Sequence, residues 1–177
     1  VRIQLSQQTT KSYGAVEYGE ATSMHSLTSG TYRLKLDWKE GGNDYNSIHE
    51  QDIYITDDDV DLVVLAGDFK SPRFFVLEYE EEGAKLKDGN GKNDFALSVV
   101  NLHKDSSGID VYISKESETF NEATSIANIS FGNMSDNQHF GLDKYKVYIT
   151  QSGSREVVFE STTINFNKNL NYVISVR

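Results

Sequence analysis

The chain has 177 residues, of which 37% are apolar and 11% aromatic, so it has enough core-forming side chains to exclude a disordered chain. Its formal net charge of -10 argues against binding to nucleic acid, because proteins that bind phosphate backbones carry basic patches. The chain has no Cys, which excludes disulfides, thiolate metal sites and Cys nucleophiles, and no run of about 18 apolar residues that would predict a transmembrane segment.

The first predicted elements are short strands. In VRIQL, the residues Val1, Ile3 and Leu5 alternate with polar residues, which is typical of a strand with one buried face. A longer strand follows, with apolar residues on one face and polar residues on the other. The apolar face is Tyr32, Leu34, Leu36 and Trp38, and the polar face is Thr31, Arg33, Lys35 and Asp37. The segment KEGGNDYN then predicts a hairpin loop, because Gly and Asn tolerate positive φ.

An acidic run, TDDDVDL, lies between two predicted strands and is therefore predicted to be a loop. Its carboxylates belong to Asp57, Asp58, Asp59 and Asp61. They are candidate ligands for Ca²⁺, which prefers six to eight hard oxygen atoms. The alternative is a solvated turn, because Asp suits tight turns and charge at strand ends discourages edge pairing. Both interpretations stay open at this point.

The most specific signal is an internal repeat. The segment Val16–Leu36 aligns with Ile129–Ile149 without a gap, and the apolar positions match while the polar positions between them differ. Upstream, VRIQL aligns with IDVYI, and the second copy has a longer loop after this strand, SKESETFNEAT. Downstream, Ile53 and Ile55 pair with Ile164 and Phe166. After a one-residue slip, Val60, Leu62 and Val64 pair with Leu170, Tyr172 and Ile174.

These patterns predict an all-β fold of two tandem immunoglobulin-like antiparallel β-sandwich units. The first repeat would occupy residues 1–82, a polar, Gly-bearing linker residues 83–94, and the second repeat residues 95–177. The first repeat would lack its opening strand, because nothing in it matches FALSVVNLH. The second would lack its closing strand, because nothing in it matches RFFVLEYE. We expect the missing strands to be trimmed, disordered or shared between the units.

Four tyrosines are candidates for contact with a ligand. Tyr45, Tyr54, Tyr112 and Tyr148 fall in loops or in the outward phase of predicted strands. An exposed Tyr stacks on sugars or anchors a protein partner, because its ring is apolar and its hydroxyl is polar. The alternative is that these are ordinary residues of the solvent face of a sheet, where Tyr is common.

Taken together, SVVNLHKDSSGIDVYIS, ISFGNMS, YKVYIT and NLNYVIS resemble the bacterial domain-of-unknown-function 4397 family. The matching points in the second copy are Asn101, Asp105, Ile109–Ile113, Phe131, Gly132 and Tyr145, and those in the first copy are Tyr18, Gly19, Gly30–Tyr32 and Asp61–Gly67. The second copy departs from the pattern, with Asp143 and Lys144 where Gly30 and Thr31 stand in the first. The resemblance implies exported bacterial proteins of paired immunoglobulin-like domains, and it transfers no catalytic residue.

The leading hypothesis is therefore a non-catalytic, extracytoplasmic module that acts as a spacer or binds another protein of the cell envelope. The alternative is a module that binds carbohydrate or peptide, so a glycan is the other expected kind of partner. A calcium-stabilised adhesion domain and a hydrolase are less favoured. The sequence contains neither a Gly-x-Ser-x-Gly elbow nor a phosphate-binding loop, and it predicts no cofactor.

Overall fold

The computed structural model describes residues 2–6, 10–15, 22–23, 25–39, 44–56, 60–68, 70–79 and 94–177. The chain divides into two compact units, Val1–Tyr79 (unit one) and Glu80–Arg177 (unit two). The described elements are β-strands and a single 3-10 turn, so the predicted all-β class is confirmed. No described element is a helix of the length and apolar character needed to cross a membrane. Most of the predicted linker, 83–93, lies outside the described residues.

Unit one contains a four-stranded antiparallel sheet and a separate hairpin. The sheet consists of β1 (Arg2–Ser6), β2 (Thr10–Ala15), β3 (Gly30–Lys39) and β4 (Tyr45–Ile55), in the order β2-β1-β3-β4. The hairpin consists of β5 (Val60–Asp68) and β6 (Ser71–Tyr79). One apolar core joins them, since Phe74 of β6 is buried in the same cluster as Leu34 and Leu36 of β3.

Unit two contains two sheets that share one core. Its strands are β7 (Asp94–Asn101), β8 (Ile109–Lys115), β9 (Thr124–Ile129), β10 (Gln138–Gly141), β11 (Lys144–Gln151), β12 (Val157–Glu160), β13 (Ile164–Asn165) and β14 (Asn171–Val176). The first sheet has the order β12-β11-β8-β9 with β13 also on β11, and the second has the order β10-β7-β14. Phe95 of β7 lies at the centre of the core and stacks on Phe166 at 4.2 Å between ring centroids.

The main sheets of the two units have the same strand order and register. In unit one, Ile3 pairs with Leu36, and in unit two the aligned residues Val111 and Ile149 pair in the same way. The sequence alternation dictates this agreement, because a one-residue slip would turn every apolar side chain of a strand away from the core. The first predicted strand, β1, is therefore an inner strand between β2 and β3, as β8 is between β9 and β11.

Both main sheets also carry a β-bulge at the same point. The register shifts between Leu36 and Asp37 in β3, and between Ile149 and Thr150 in β11. A bulge adds one residue to one of the two paired strands, here Ile48 of β4 and Val158 of β12. Asp37 is 1% exposed and Trp38 is 38% exposed, so the outward phase of Asp37 does not expose it and the inward phase of Trp38 does not bury it fully.

The last matched strands enter their cores without the predicted slip. The strands β5 and β14 begin 111 positions apart, at Val60 and Asn171, and Leu65 of β5 and Val176 of β14 both pack against the core of their unit. These two residues lie 111 positions apart, as do Ile55 and Phe166. The predicted alignment of Val60, Leu62 and Val64 with Leu170, Tyr172 and Ile174 is therefore wrong by one residue. Because β5 has apolar residues on both faces, the pattern of apolar residues fits the slipped and the unslipped alignment equally well.

A tyrosine fastens the segment before the long central strand in each unit. The Tyr145 hydroxyl donates to the Gly141 carbonyl at 2.6 Å, and the Tyr32 hydroxyl donates to the Thr28 carbonyl at 2.7 Å. Both rings are buried, and burial raises the pKa of the Tyr145 hydroxyl above its ordinary value. The two hydrogen bonds are equivalent in the alignment, since Thr28 and Gly141 lie 113 positions apart, as do Tyr32 and Tyr145.

Candidate functional site

Two of the four candidate tyrosines come together on the outer face of unit two. Tyr112 of β8 and Tyr148 of β11 are directly opposite each other in the antiparallel ladder. The flanking residues Val111 and Val147 point into the core, so the tyrosines lie on the opposite face, as their outward phase predicts. The pair is a product of strand register, which brings together residues 36 positions apart in the sequence.

The other two candidates do not form a joint surface. Tyr45 and Tyr54 are 38% and 62% exposed, as their outward phase predicts. They stand near the two ends of β4, and nine residues of extended strand separate them by about 30 Å. The Lys39 ammonium lies 5.9 Å from the centre of the Tyr45 ring. No sugar ring or short peptide segment would stack on both tyrosines at once.

The expectation that Tyr148 is exposed is wrong, since it is only 3% exposed. The long loop that follows β8 folds back over the outer face of the sheet and places Phe120 against the tyrosine pair. The Phe120 ring centroid lies 5.2 Å from that of Tyr112, edge to face, and 5.2 Å from that of Tyr148. Tyr112 remains half-buried. An outward phase does not guarantee exposure when a neighbouring loop carries its own apolar side chain.

Hydrogen bonds within this loop hold Phe120 in place. The Glu122 carboxylate accepts from the backbone N–H and from the hydroxyl of Thr119, each at 2.9 Å. These two bonds favour the ionised carboxylate and lower the pKa of Glu122 below its ordinary value. The Glu118 carboxylate accepts from the backbone N–H of Lys115 at 2.9 Å, which closes the base of the loop on β8.

An arginine completes the cluster from the solvent side. The Arg155 guanidinium lies 5.0 Å from the centre of the Phe120 ring and 6.0 Å from that of Tyr112. A cation over an aromatic face is attracted by the ring quadrupole, typically by about 0.5–1 kcal/mol at an exposed site. We name Tyr112, Phe120, Tyr148 and Arg155 the aromatic–arginine cluster.

A polar network lies beside this cluster on the same face. The Asn128 side-chain amide donates to the Asp110 carboxylate and also to the Ser152 hydroxyl at 2.9 Å, while the Gly153 N–H donates to Asp110 at 2.8 Å. Asp110 is buried and its charge is satisfied by these donors. Thr150, which pairs with Asp110 in the ladder, has a buried hydroxyl that makes no hydrogen bond within the described part of the chain.

The edge strand next to the cluster is apolar and exposed. In β12, Val157, Val158 and Phe159 are 36%, 60% and 51% exposed. β12 pairs with β11 on one side and is the last strand of its sheet in the described structure. The bulge in this ladder falls at Val158, which lies between the paired residues Val157 and Phe159. Phe159 pairs with Ile149, which packs against the core, so Phe159 lies on that face of the sheet, whereas the aromatic–arginine cluster lies on the opposite face.

The acidic candidates do not form a described metal site. Asp57, Asp58 and Asp59 lie outside the described residues. Asp61 was expected in a loop, but it lies inside β5, paired with Glu78 of β6, so this expectation is wrong. Strand β5 begins at Val60, one residue before Asp61. The apolar residues of VDLVVLAGD favour a strand over the whole segment, so Asp61 belongs to the ladder between β5 and β6. No group of three or more possible metal ligands occurs in the part of the chain that the structure describes.

Comparisons of the sequence with protein-family models and with curated proteins found no match. The resemblance to the domain-of-unknown-function 4397 family therefore stays a prediction.

Sequence reasoning missed Phe120, Arg155 and the β12 side chains. A signal for Phe120 was present, because it is the only aromatic residue of the long loop in the second copy. A signal for β12 was also present, since Val157, Val158 and Phe159 are three consecutive apolar residues after the QSGSR turn. Nothing in the sequence indicates that Arg155 stacks on two rings, because that contact depends on how two loops meet.

Proposed function

We propose that this chain is a non-catalytic module that binds a protein partner through the exposed apolar side chains of β12. The observation that carries the proposal is the exposure of Val158 and Phe159 on an edge strand of a chain with a net charge of -10. Exposed apolar side chains rimmed by polar residues mark interaction sites, because they gain the most from removal from water.

The bulge at Val158 bears on how such a partner would bind. A bulge interrupts the ladder and twists the edge, which disfavours the addition of a further strand. We therefore expect the partner to contact the Val158 and Phe159 side chains rather than the backbone of β12.

A carbohydrate-binding role has less support. Sugar binding needs aromatic rings whose faces are open to the ligand, whereas Tyr148 is buried and the Tyr112 ring is covered by Phe120 and Arg155. Tyr54 is exposed but stands alone on its strand end. Calcium binding has no supporting group of ligands within the described residues.

The relation between the two units, the family and the cellular location are also proposals. We infer that the two units are copies of one immunoglobulin-like sandwich, and the shared strand order, register and bulge support this inference. We further propose membership of the domain-of-unknown-function 4397 family and an extracytoplasmic location in a bacterial cell envelope, for which the sequence resemblance is the support. An intact envelope protein is then the expected partner.

Selection from a random-peptide display library on the full chain tests the proposed surface. We expect the selected peptides to lose about tenfold or more in affinity on Phe159→Ser, since truncation of a central apolar contact costs more than about 1.4 kcal/mol. Leu142→Ser is the matched control, because Leu142 is 40% exposed in the same unit but lies outside the surface. It should leave peptide affinity unchanged.

A glycan array run on the same variants separates the two function classes. Peptides that bind wild type and Phe159→Ser equally would overturn the proposed surface. A glycan that binds wild type and is lost on Tyr54→Ala, with Phe159→Ser unaffected, would favour the carbohydrate alternative.

A further inference from the structure

The side chains of His49 and Phe159 hold equivalent positions in the two units. Leu36 of β3 and Ile149 of β11 are aligned in the sequence repeat, and they pair with His49 of β4 and Phe159 of β12. The β-bulge follows directly after both pairs, so the equivalence holds in the ladder as well as in the sequence. Unit one therefore shows how this chain covers the position that Phe159 occupies in unit two.

In unit one an aromatic ring from another strand covers this position. The Phe74 ring of β6 has its centroid 5.7 Å from that of His49, and Phe74 is only 4% exposed. The Gln51 side-chain amide of β4 donates to the Phe74 carbonyl at 3.1 Å, and its oxygen accepts from the Phe74 N–H at 3.3 Å. These two bonds hold the backbone of β6 beside β4, which brings the Phe74 ring to His49.

In unit two the same position carries an apolar ring that is open to solvent. Phe159 is 51% exposed, and it makes no ring contact within the described part of the chain. Its ladder partner Ile149 is only partly buried, so the apolar surface continues from β12 onto β11. An aromatic ring laid against Phe159 would remove both side chains from water and add the attraction between two rings.

An unpaired carboxylate stands beside this apolar surface. Glu156 comes directly before β12, three residues from Phe159, and it is exposed. Among the described residues, nothing forms an ion pair or a side-chain hydrogen bond with Glu156. Glu160 at the other end of the strand differs, because its carboxylate accepts from the Lys146 ammonium at 2.8 Å. A cationic side chain of a partner would therefore pair with Glu156 without displacing an existing contact.

We propose that the partner of β12 presents a segment that places an aromatic residue on Phe159 and a Lys or Arg on Glu156. The inference rests on the proposed function and names the chemistry of the partner that this surface fits. The contact of Phe74 with His49 is the precedent for the aromatic residue. The net charge of -10 favours a cationic segment, because opposite charge speeds and orients the encounter.

Sequencing of the peptides selected from the random-peptide library tests the aromatic contact. Peptides that lose binding on Phe159→Ser should be enriched in segments that join an aromatic residue to Lys or Arg. In one such peptide, replacement of the aromatic residue by Leu should weaken binding to the wild type about 2- to 12-fold. The same replacement should weaken binding to Phe159→Leu by less than about twofold, because the ring pair is already lost there.

Glu156→Gln tests the ionic contact with the same peptide. It should weaken binding about 1.5- to 5-fold at low salt, and the difference should vanish at about 1 M salt, where charges are screened within about 3 Å. Asp136→Asn is the matched control, because Asp136 is an exposed carboxylate of the same unit that precedes β10. It should leave the affinity unchanged.

Two results would overturn the inference and leave the proposed surface standing. One is a set of peptides that require Phe159 but carry only aliphatic or acidic side chains. The other is a loss of affinity that is equal for Glu156→Gln and Asp136→Asn, or absent from both. Peptide binding that does not depend on Phe159 would instead overturn the proposed function itself.

Discussion

Replacement of Phe120 by Ala tests whether the long loop of unit two buries Tyr148. The substitution removes two ring contacts, with Tyr112 and Tyr148, each worth about 0.5–1.5 kcal/mol beyond buried area. It also removes the contact between the Phe120 ring and the Arg155 guanidinium, worth about 0.5–1 kcal/mol. We therefore expect Phe120→Ala to lower the free energy of unfolding of unit two by about 1.5–4 kcal/mol.

Two probes separate this effect from a general loss of stability. Trp38 is the only Trp of the chain and lies in unit one, so its fluorescence follows the urea unfolding of that unit alone. Far-ultraviolet circular dichroism follows both units, and only its unit-two component should shift. Chemical nitration followed by peptide mapping should modify Tyr148 in Phe120→Ala and spare it in the wild type, where it is 3% exposed.

The neighbouring Asn121 provides the control for this experiment. It is exposed and belongs to the same 3-10 turn, so Asn121→Ala should change the free energy of unfolding by less than about 0.5 kcal/mol. The reasoning would be refuted if Phe120→Ala behaved like Asn121→Ala, or if Tyr148 stayed unmodified without the Phe120 ring.

Three further predictions concern single groups. Thr150→Val should raise the free energy of unfolding by about 1 kcal/mol in urea titrations, because it removes a buried hydroxyl that makes no described bond; a decrease would mean that the hydroxyl is bonded. Gly67→Ala should lower the free energy of unfolding of unit one by about 1–3 kcal/mol, measured by Trp fluorescence, because φ is +94° and the new Cβ would lie 2.5 Å from the Ser71 carbonyl oxygen. Gly141→Ala is the control and should be neutral, because no atom lies within 4 Å of the Cβ it would add. Carboxyl NMR should give Glu122 a pKa below 4.5; its stabilising contribution is complete above pH 4.5 and is lost as the pH falls through that lower pKa, so Glu122→Gln should remove this part of the acid dependence.

Much of the candidate surface follows from the sequence pattern, but its exposure does not. The register of β8 against β11, and hence the meeting of Tyr112 with Tyr148, follows from the alternation of Val111 and Val147 with their neighbours. Whether Tyr148 then meets solvent depends on Phe120, which arrives from a loop that has no period-2 pattern. Loop conformation is set by caps and tertiary contacts, so the covered face could not be predicted.

What the sequence determined by itself is the strand alternation, the all-β class and the register between β1 and β3 and between β8 and β11. Those features depend on nearest neighbours in a pleated strand and on which face must leave water. Only the tertiary structure decided the burial of Asp37, the phase of β5 and the edge at which β6 packs. Each of these depends on a contact between residues distant in sequence, and local alternation is equally compatible with more than one such contact.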